Sequence, residues 1–145
     1  MKYITRNLEE TQKVAKDFIS NLNPYRDRAV VIGLYGDLGS GKTSFTQGIA
    51  KSLGVGETVT SPTFVIEKIY ELVEKKFTHL IHIDAYRLDK SEELQHLGWQ
   101  EVISDPNNLV LIEWPEIVEE IMPNHVKISF KTLEKEDSRE IEIDY

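Results

Sequence analysis

The sequence predicts an α/β fold in three layers, with helices on both faces of a mixed, mainly parallel central sheet. Two nearly continuous apolar runs carry that expectation, Ala29-Val30-Val31-Ile32-Gly33-Leu34-Tyr35 and Leu109-Val110-Leu111-Ile112. Neither alternates, so each reads as a strand buried on both faces. The third observation is the junction after the first run. Gly36-Asp37-Leu38-Gly39-Ser40-Gly41-Lys42-Thr43 fits the phosphate-loop pattern G-x-x-x-x-G-K-[ST], and Phe45, Ile49, Ala50 and Leu53 then recur at helical spacing up to a capping Gly54. Strand, glycine loop and helix in that order form the core of the P-loop NTPase fold.

The remaining elements follow from local signals. Asn7-Leu8-Glu9-Glu10 resembles a capping box, and Leu8, Thr11, Val14, Ala15, Phe18, Ile19 and Leu22 mark one face of a helix that should end near Asn23-Pro24. After the phosphate-loop helix, residues 54–63 have loop composition without apolar period. Phe64 to Leu72 and Phe77 to Asp84 are β-type runs that predict an antiparallel hairpin over 64–84. Ser91-Glu92-Glu93-Leu94 starts a short helix that Gly98 stops, and Asp105-Pro106-Asn107-Asn108 turns the chain into the second apolar strand. Pro115 suits the first turn of a helix carrying Ile117, Val118, Ile121 and Met122 inward. Val126 to Leu133 and Arg139 to Tyr145 predict a closing hairpin over 126–145. With no repeat, low-complexity segment or linker in view, one domain spanning 1–145 is expected.

Bulk composition narrows the function classes. At 145 residues, the chain has little room for a separate substrate domain or lid. A net charge of −8 with pI near 5.0 argues against broad electrostatic binding to nucleic acid, which depends on Lys and Arg displacing counterions. The absence of cysteine removes disulfides and thiolate metal sites. No stretch approaches a membrane span and Met1 to Asn7 lacks a signal-peptide core, so a cytoplasmic location is expected.

The chemistry is anion capture. Glycines allow the backbone to fold into a nest of N–H donors opening onto the positive end of a helix. Asp37, Leu38, Gly39, Ser40, Gly41, Lys42, Thr43 and Ser44 are the expected nucleotide contacts, with Lys42 reaching the β and γ phosphates and Thr43 offering its hydroxyl to Mg²⁺. Lys42 is therefore expected outside the packed core. Phosphoryl transfer also needs a carboxylate to hold the metal or align water, and strand ends beside the loop are where one belongs. Asp84 closes Leu80-Ile81-His82-Ile83 and Glu113 closes the second apolar run, but composition does not divide the two roles between them. His82 should pack or hydrogen-bond near the site. Arg87 could either stabilise phosphate charge or form a surface ion pair.

Taken together, these motifs resemble the TsaE (YjeE) family, the ATPase component of bacterial tRNA threonylcarbamoyladenosine synthesis. The residues that carry the resemblance are the phosphate loop, Thr60-Ser61-Pro62-Thr63-Phe64, His82-Ile83-Asp84-Ala85-Tyr86-Arg87-Leu88 and Ile112-Glu113-Trp114-Pro115-Glu116. The match runs from the first helix through Trp114-Pro115 and so covers most of the chain, although Pro123 onward has no family motif. The resemblance implies ATP and Mg²⁺ as cofactors, with Thr43 and Glu113 at the metal. It also implies that Asp84 lies near the γ-phosphate and water, that 60–63 form a nucleotide-sensitive loop with Thr63 as sensor, and that Trp114 stands beside the site. The implied partners are TsaD and TsaB-type subunits of the threonylcarbamoyl transferase complex, with tRNA reached only through them and no membrane. Low intrinsic ATPase activity is expected.

Other activities share the loop. A small-molecule or nucleotide kinase would need an arginine-rich lid, yet only Arg87 and Arg139 follow the phosphate loop. Guanine selectivity has no visible basis, because no Asn-Lys-x-Asp motif occurs. A nucleotide-gated assembly factor with negligible turnover would use the same residues as a weak ATPase. Adenine contacts are expected from the first helix and its entry.

Overall fold

The computed structural model describes residues 1–37, 39–56, 67–135 and 138–145. The strands are β1 (Lys2–Thr5), β2 (Val30–Tyr35), β3 (Glu67–Glu71), β4 (His79–Asp84), β5 (Asn108–Glu113), β6 (Val126–Thr132) and β7 (Arg139–Asp144). They form one seven-stranded sheet in the order β1-β7-β6-β2-β5-β4-β3. The central strands β6, β2, β5 and β4 are parallel, while β3, β7 and β1 pair antiparallel with their neighbours. The helices are α1 (Leu8–Ser20), α2 (Lys42–Ser52), α3 (Ser91–His96) and α4 (Trp99–Ser104). This is the expected mixed, mainly parallel sheet with helices on both faces, and both expected hairpins are present among the described residues. Residues 64–66 of the first hairpin lie outside them.

Period-two alternation divides the apolar strands between two cores. Val30, Ile32 and Leu34 of β2, with Leu80, Leu109 and Leu111, pack against α1 and α2. Val31 of β2, with Ile81, Ile83, Val110 and Ile112, faces α3, α4 and the segment after β5. Phe45 of α2 is fully buried, which contributes about 2 kcal/mol from removal of its surface from water. The two helices on that face approach closely where Gly48 meets Ala15: a Cβ on Gly48 would stand 2.9 Å from that of Ala15.

Some elements differ from expectation. Lys2–Thr5 forms edge strand β1, in register with β7 from Lys2↔Glu142 to Thr5↔Arg139, a pairing across nearly the whole chain that no local pattern announces. Asn7 caps α1 by accepting from Glu10 N, but Glu10 reaches back to Arg6 N rather than to the cap itself. Leu8, placed by periodicity on the apolar face, is 53% exposed. Gly98, at φ +82°, ends α3 as expected but also starts α4, which buries Trp99. Pro115–Ile121 is a 3-10 segment kinked at Val118, not a regular α-helix; it still buries Val118, with Ile117, Ile121 and Met122 packed against the same core. Among the described residues, no helix is long and apolar enough to cross a membrane.

Candidate functional site

The phosphate loop leaves the carboxyl end of β2 and enters α2 at Lys42. Gly36 and Gly41 have positive φ, +148° and +111°, and the loop closes tightly around the first: a Cβ on Gly36 would lie 2.7 Å from Ser40 Oγ and 2.8 Å from Phe130 O. Only glycine fits there. Gly41 precedes α2 in the left-handed region and supplies no side-chain cap, so the first-turn N–H groups of α2 lack that partner. Among the described residues the buried Ser40 Oγ has no hydrogen-bond partner. An anion seated in the loop would satisfy such donors. Of the expected contacts, Asp37 and Gly39 to Ser44 are assembled here, while Leu38 lies outside the described residues.

Lys42 departs from the expectation that it stands clear of the core: it is 5% exposed. Its Nζ donates to Gly36 O at 2.6 Å and sits 3.6 Å from the Trp114 ring centroid, a cation–π contact. Burial pulls its pKa down, opposed by the negative charges of Glu113, Glu116, Asp84 and Asp37. Trp114 holds a left-handed backbone at φ +59°, uncommon for a bulky residue, and its ring also lies 5.0 Å from that of Tyr86. Strain of this kind gathers at sites where geometry is over-determined.

Strand register places the acids. Asp84 pairs with Glu113 across β4 and β5, and Leu34 pairs with Glu113 across β2 and β5, so both carboxylates stand at the strand ends beside the loop. By alternation they lie on the face covered by α1 and α2, continuing the row of Leu80 and Leu111. Both are buried. Burial raises the Asp84 pKa, moderated by the hydrogen bond from Tyr86 N at 3.0 Å and by His82 and Arg87, while Glu113 pushes it further up. His82, two residues before Asp84 on the same face, shares a 2.7 Å hydrogen bond between Nε2 and Glu113 Oε2, as expected of a site-adjacent histidine. Oxygen donors of this kind, two carboxylates and the Thr43 hydroxyl at the head of α2, suit a hard cation such as Mg²⁺.

Arg87 ends the 3-10 turn Ala85–Arg87 and is exposed, close enough to Asp84 to lower its pKa. Thr63 and the 60–63 loop lie outside the described residues. One residue at the loop was not anticipated. Arg139, at the start of β7, donates from Nη2 to Gly39 O at 3.2 Å. The only sequence signal for it was that few arginines follow the loop; its approach depends on the pairing of β6 with β7.

Comparison with known proteins identifies a family. Residues 5–141 match the family model "Threonylcarbamoyl adenosine biosynthesis protein TsaE". A Bacillus subtilis tRNA threonylcarbamoyladenosine biosynthesis protein TsaE is 37% identical over 142 residues, 97% of this chain and 83% of that one. The protein of the same name from Rickettsia prowazekii is 38% identical over 128 residues, 87% of this chain and 83% of the relative. A third, from Borreliella burgdorferi, is 43% identical over 90 residues, 62% of this chain and a little under two thirds, 63%, of the relative. The crystal structure of Bacillus subtilis YdiB superposes with a TM-score of 0.71 at 34% identity, covering 97% of this chain and 82% of that one. The chain belongs to the TsaE family, whose role is in tRNA threonylcarbamoyladenosine biosynthesis.

Proposed function

We propose that this TsaE-family protein binds ATP with Mg²⁺ at the phosphate loop and hydrolyses it in support of threonylcarbamoyl transfer to tRNA. TsaD and TsaB-type subunits are the partners this reading assigns, and tRNA is reached through them. The observation that carries it is the convergence of three features at one end of the sheet. These are the loop with its buried Ser40 hydroxyl, unpartnered among the described residues, the Lys42 ammonium, and the register-paired Asp84 and Glu113. Acidic composition is consistent with tRNA being held elsewhere.

In this reading the loop amides and Lys42 bind the β and γ phosphates, and Lys42 leaves Gly36 O and the Trp114 ring to do so. Thr43 and Glu113 would hold the magnesium ion, with His82 fixing the orientation of the Glu113 carboxylate. Held there, Mg²⁺ would supply positive charge that offsets the negative charge of the phosphates. Asp84 aligns the attacking water and can accept its proton, since burial raises the pKa of this carboxylate. Thr63 would sense the γ-phosphate, and Arg87 or the partner complex would add positive charge during transfer. Because Lys42 is engaged within the protein, slow turnover by the isolated chain is expected.

The test is a steady-state ATPase assay with and without the transferase complex, with Lys42→Ala as control. Turnover that rises with the complex and vanishes in the variant supports the reading. Tight ATP binding with negligible turnover even in the complex would favour a nucleotide-gated assembly factor. Phosphate transfer to an acceptor other than water would favour a kinase.

A further inference from the structure

We infer that Arg139 is a positioning residue of the nucleotide site, reaching in from β7 to clasp the phosphate loop and hold the shape that receives the polyphosphate. The inference rests on the ATP reading above. Arg139 pairs across the sheet with Thr132 on one side and Thr5 on the other, so its backbone is fixed by both neighbouring strands. From that anchored position Nη1 donates to Ser138 O at 3.0 Å and Nη2 to Gly39 O at 3.2 Å. One planar group thus ties the hairpin to the loop. The aliphatic stem lies over Gly41, where an added Cβ would meet Arg139 Cγ at 3.7 Å and Phe130 Cδ1 at 3.8 Å. Among the described residues no carboxylate pairs with the guanidinium.

The physical argument concerns which way the loop's peptides face. A phosphate nest works when N–H groups point at the anion and carbonyls point away, since an inward carbonyl would repel it. Gly39 and Gly41, at φ +76° and +111°, occupy backbone conformations that a glycine segment readily leaves. A cation that binds the Gly39 carbonyl biases that peptide toward one orientation and adds positive charge beside the polyphosphate. Lysine could offer the charge but not two donors in a fixed fork.

The experiment is calorimetric titration of the full chain with ADP and with MgATP, alongside thermal melting and steady-state ATPase kinetics, for wild type, Arg139→Ala, Arg139→Lys and Lys42→Ala. Arg139→Ala is expected to weaken ADP and ATP binding alike, by roughly tenfold. Most of the kinetic loss should fall in KM rather than kcat, with the nucleotide-free melting temperature near wild type. Arg139→Lys should recover only part of the affinity. Wild-type affinity in Arg139→Ala, or a loss confined to kcat, would overturn the assignment. If Arg139→Ala fails to fold, Arg139→Lys decides: weaker binding at normal melting supports the role, and unchanged binding refutes it. Failure of the wild type to bind any nucleotide would overturn the ATP reading and this inference together. If the wild type binds, Lys42→Ala does not, and Arg139→Ala matches wild type, the Arg139 role alone falls.

Discussion

The phosphate loop has two flanks built on different principles. On the β4–β5 flank, Asp84, Glu113 and His82 interrupt otherwise apolar rows and are buried, with Asp84 in strand register with Glu113 and His82 hydrogen-bonded to it. On the β6–β7 flank the loop meets Phe130 and Arg139, a wall made by an antiparallel hairpin. The first flank holds charge at a cost in burial and so reads as chemistry. The second spends its polar contact on the loop's own backbone and so reads as shape. A buried carboxylate without compensating interactions is costly, and sites that retain such groups commonly use them.

The sharpest way to break this contrast is Lys42→Ala, which removes the ammonium of the loop that both flanks serve. ATP binding should weaken on the order of a hundredfold, because a charge-assisted hydrogen bond to phosphate is lost without replacement. Calorimetry measures it, and near-normal affinity would remove the loop from the site altogether. Next is Glu113→Gln, which can keep the hydrogen bond to His82 while losing the charge. Hydrolysis should fall on the order of tenfold or more while ATP affinity changes much less. Equal loss in kcat and in binding would contradict a metal-holding role.

A third prediction concerns pH and stability. Burial raises the Asp84 pKa above its unfolded value, so the native state holds the proton more tightly. The stabilisation linked to this group is complete below the unfolded carboxylate pKa and is lost as pH rises through the folded one. Asp84→Asn, which can still accept from Tyr86 N, should therefore melt about 2–4 °C higher than wild type at pH 7. That advantage should shrink as pH is lowered toward 4. A constant difference across pH would show that Asp84 titrates as it does in the unfolded chain. The smallest effect belongs to Arg87→Ala: an exposed side chain should change nucleotide affinity of the isolated protein by less than about twofold. A larger loss would move Arg87 into the site and blur the contrast with Arg139.

The same contrast explains what was legible in the sequence. The β4–β5 flank was readable because Asp84 and Glu113 each end an apolar run, and a polar residue at that point stands out against its own neighbours. His82 was visible as a break in its strand. The Arg139 contact was not, since it depends on β7 folding back along β6 to bring residue 139 to residue 39. The edge pairing of β1 with β7 escaped for the same reason. Burial of Lys42 was missed because motif spacing gives a residue's identity without its resting contacts. Those contacts come from Trp114, whose left-handed backbone no pattern indicated. The second short helix after Gly98 is a failure of punctuation: a glycine that ends one helix also opened another.

The Trp114 arrangement gives the molecule an intrinsic optical gauge. The chain has two tryptophans, and Trp99 is sealed at 2% exposure with its Nε1 donating to Ile121 O at 3.0 Å. Its emission is a steady background. The indole of Trp114 has an ammonium against its face, so any event that draws Lys42 away alters the field on that chromophore alone. Light emitted by one side chain then reports, without a label, when the lysine changes hands.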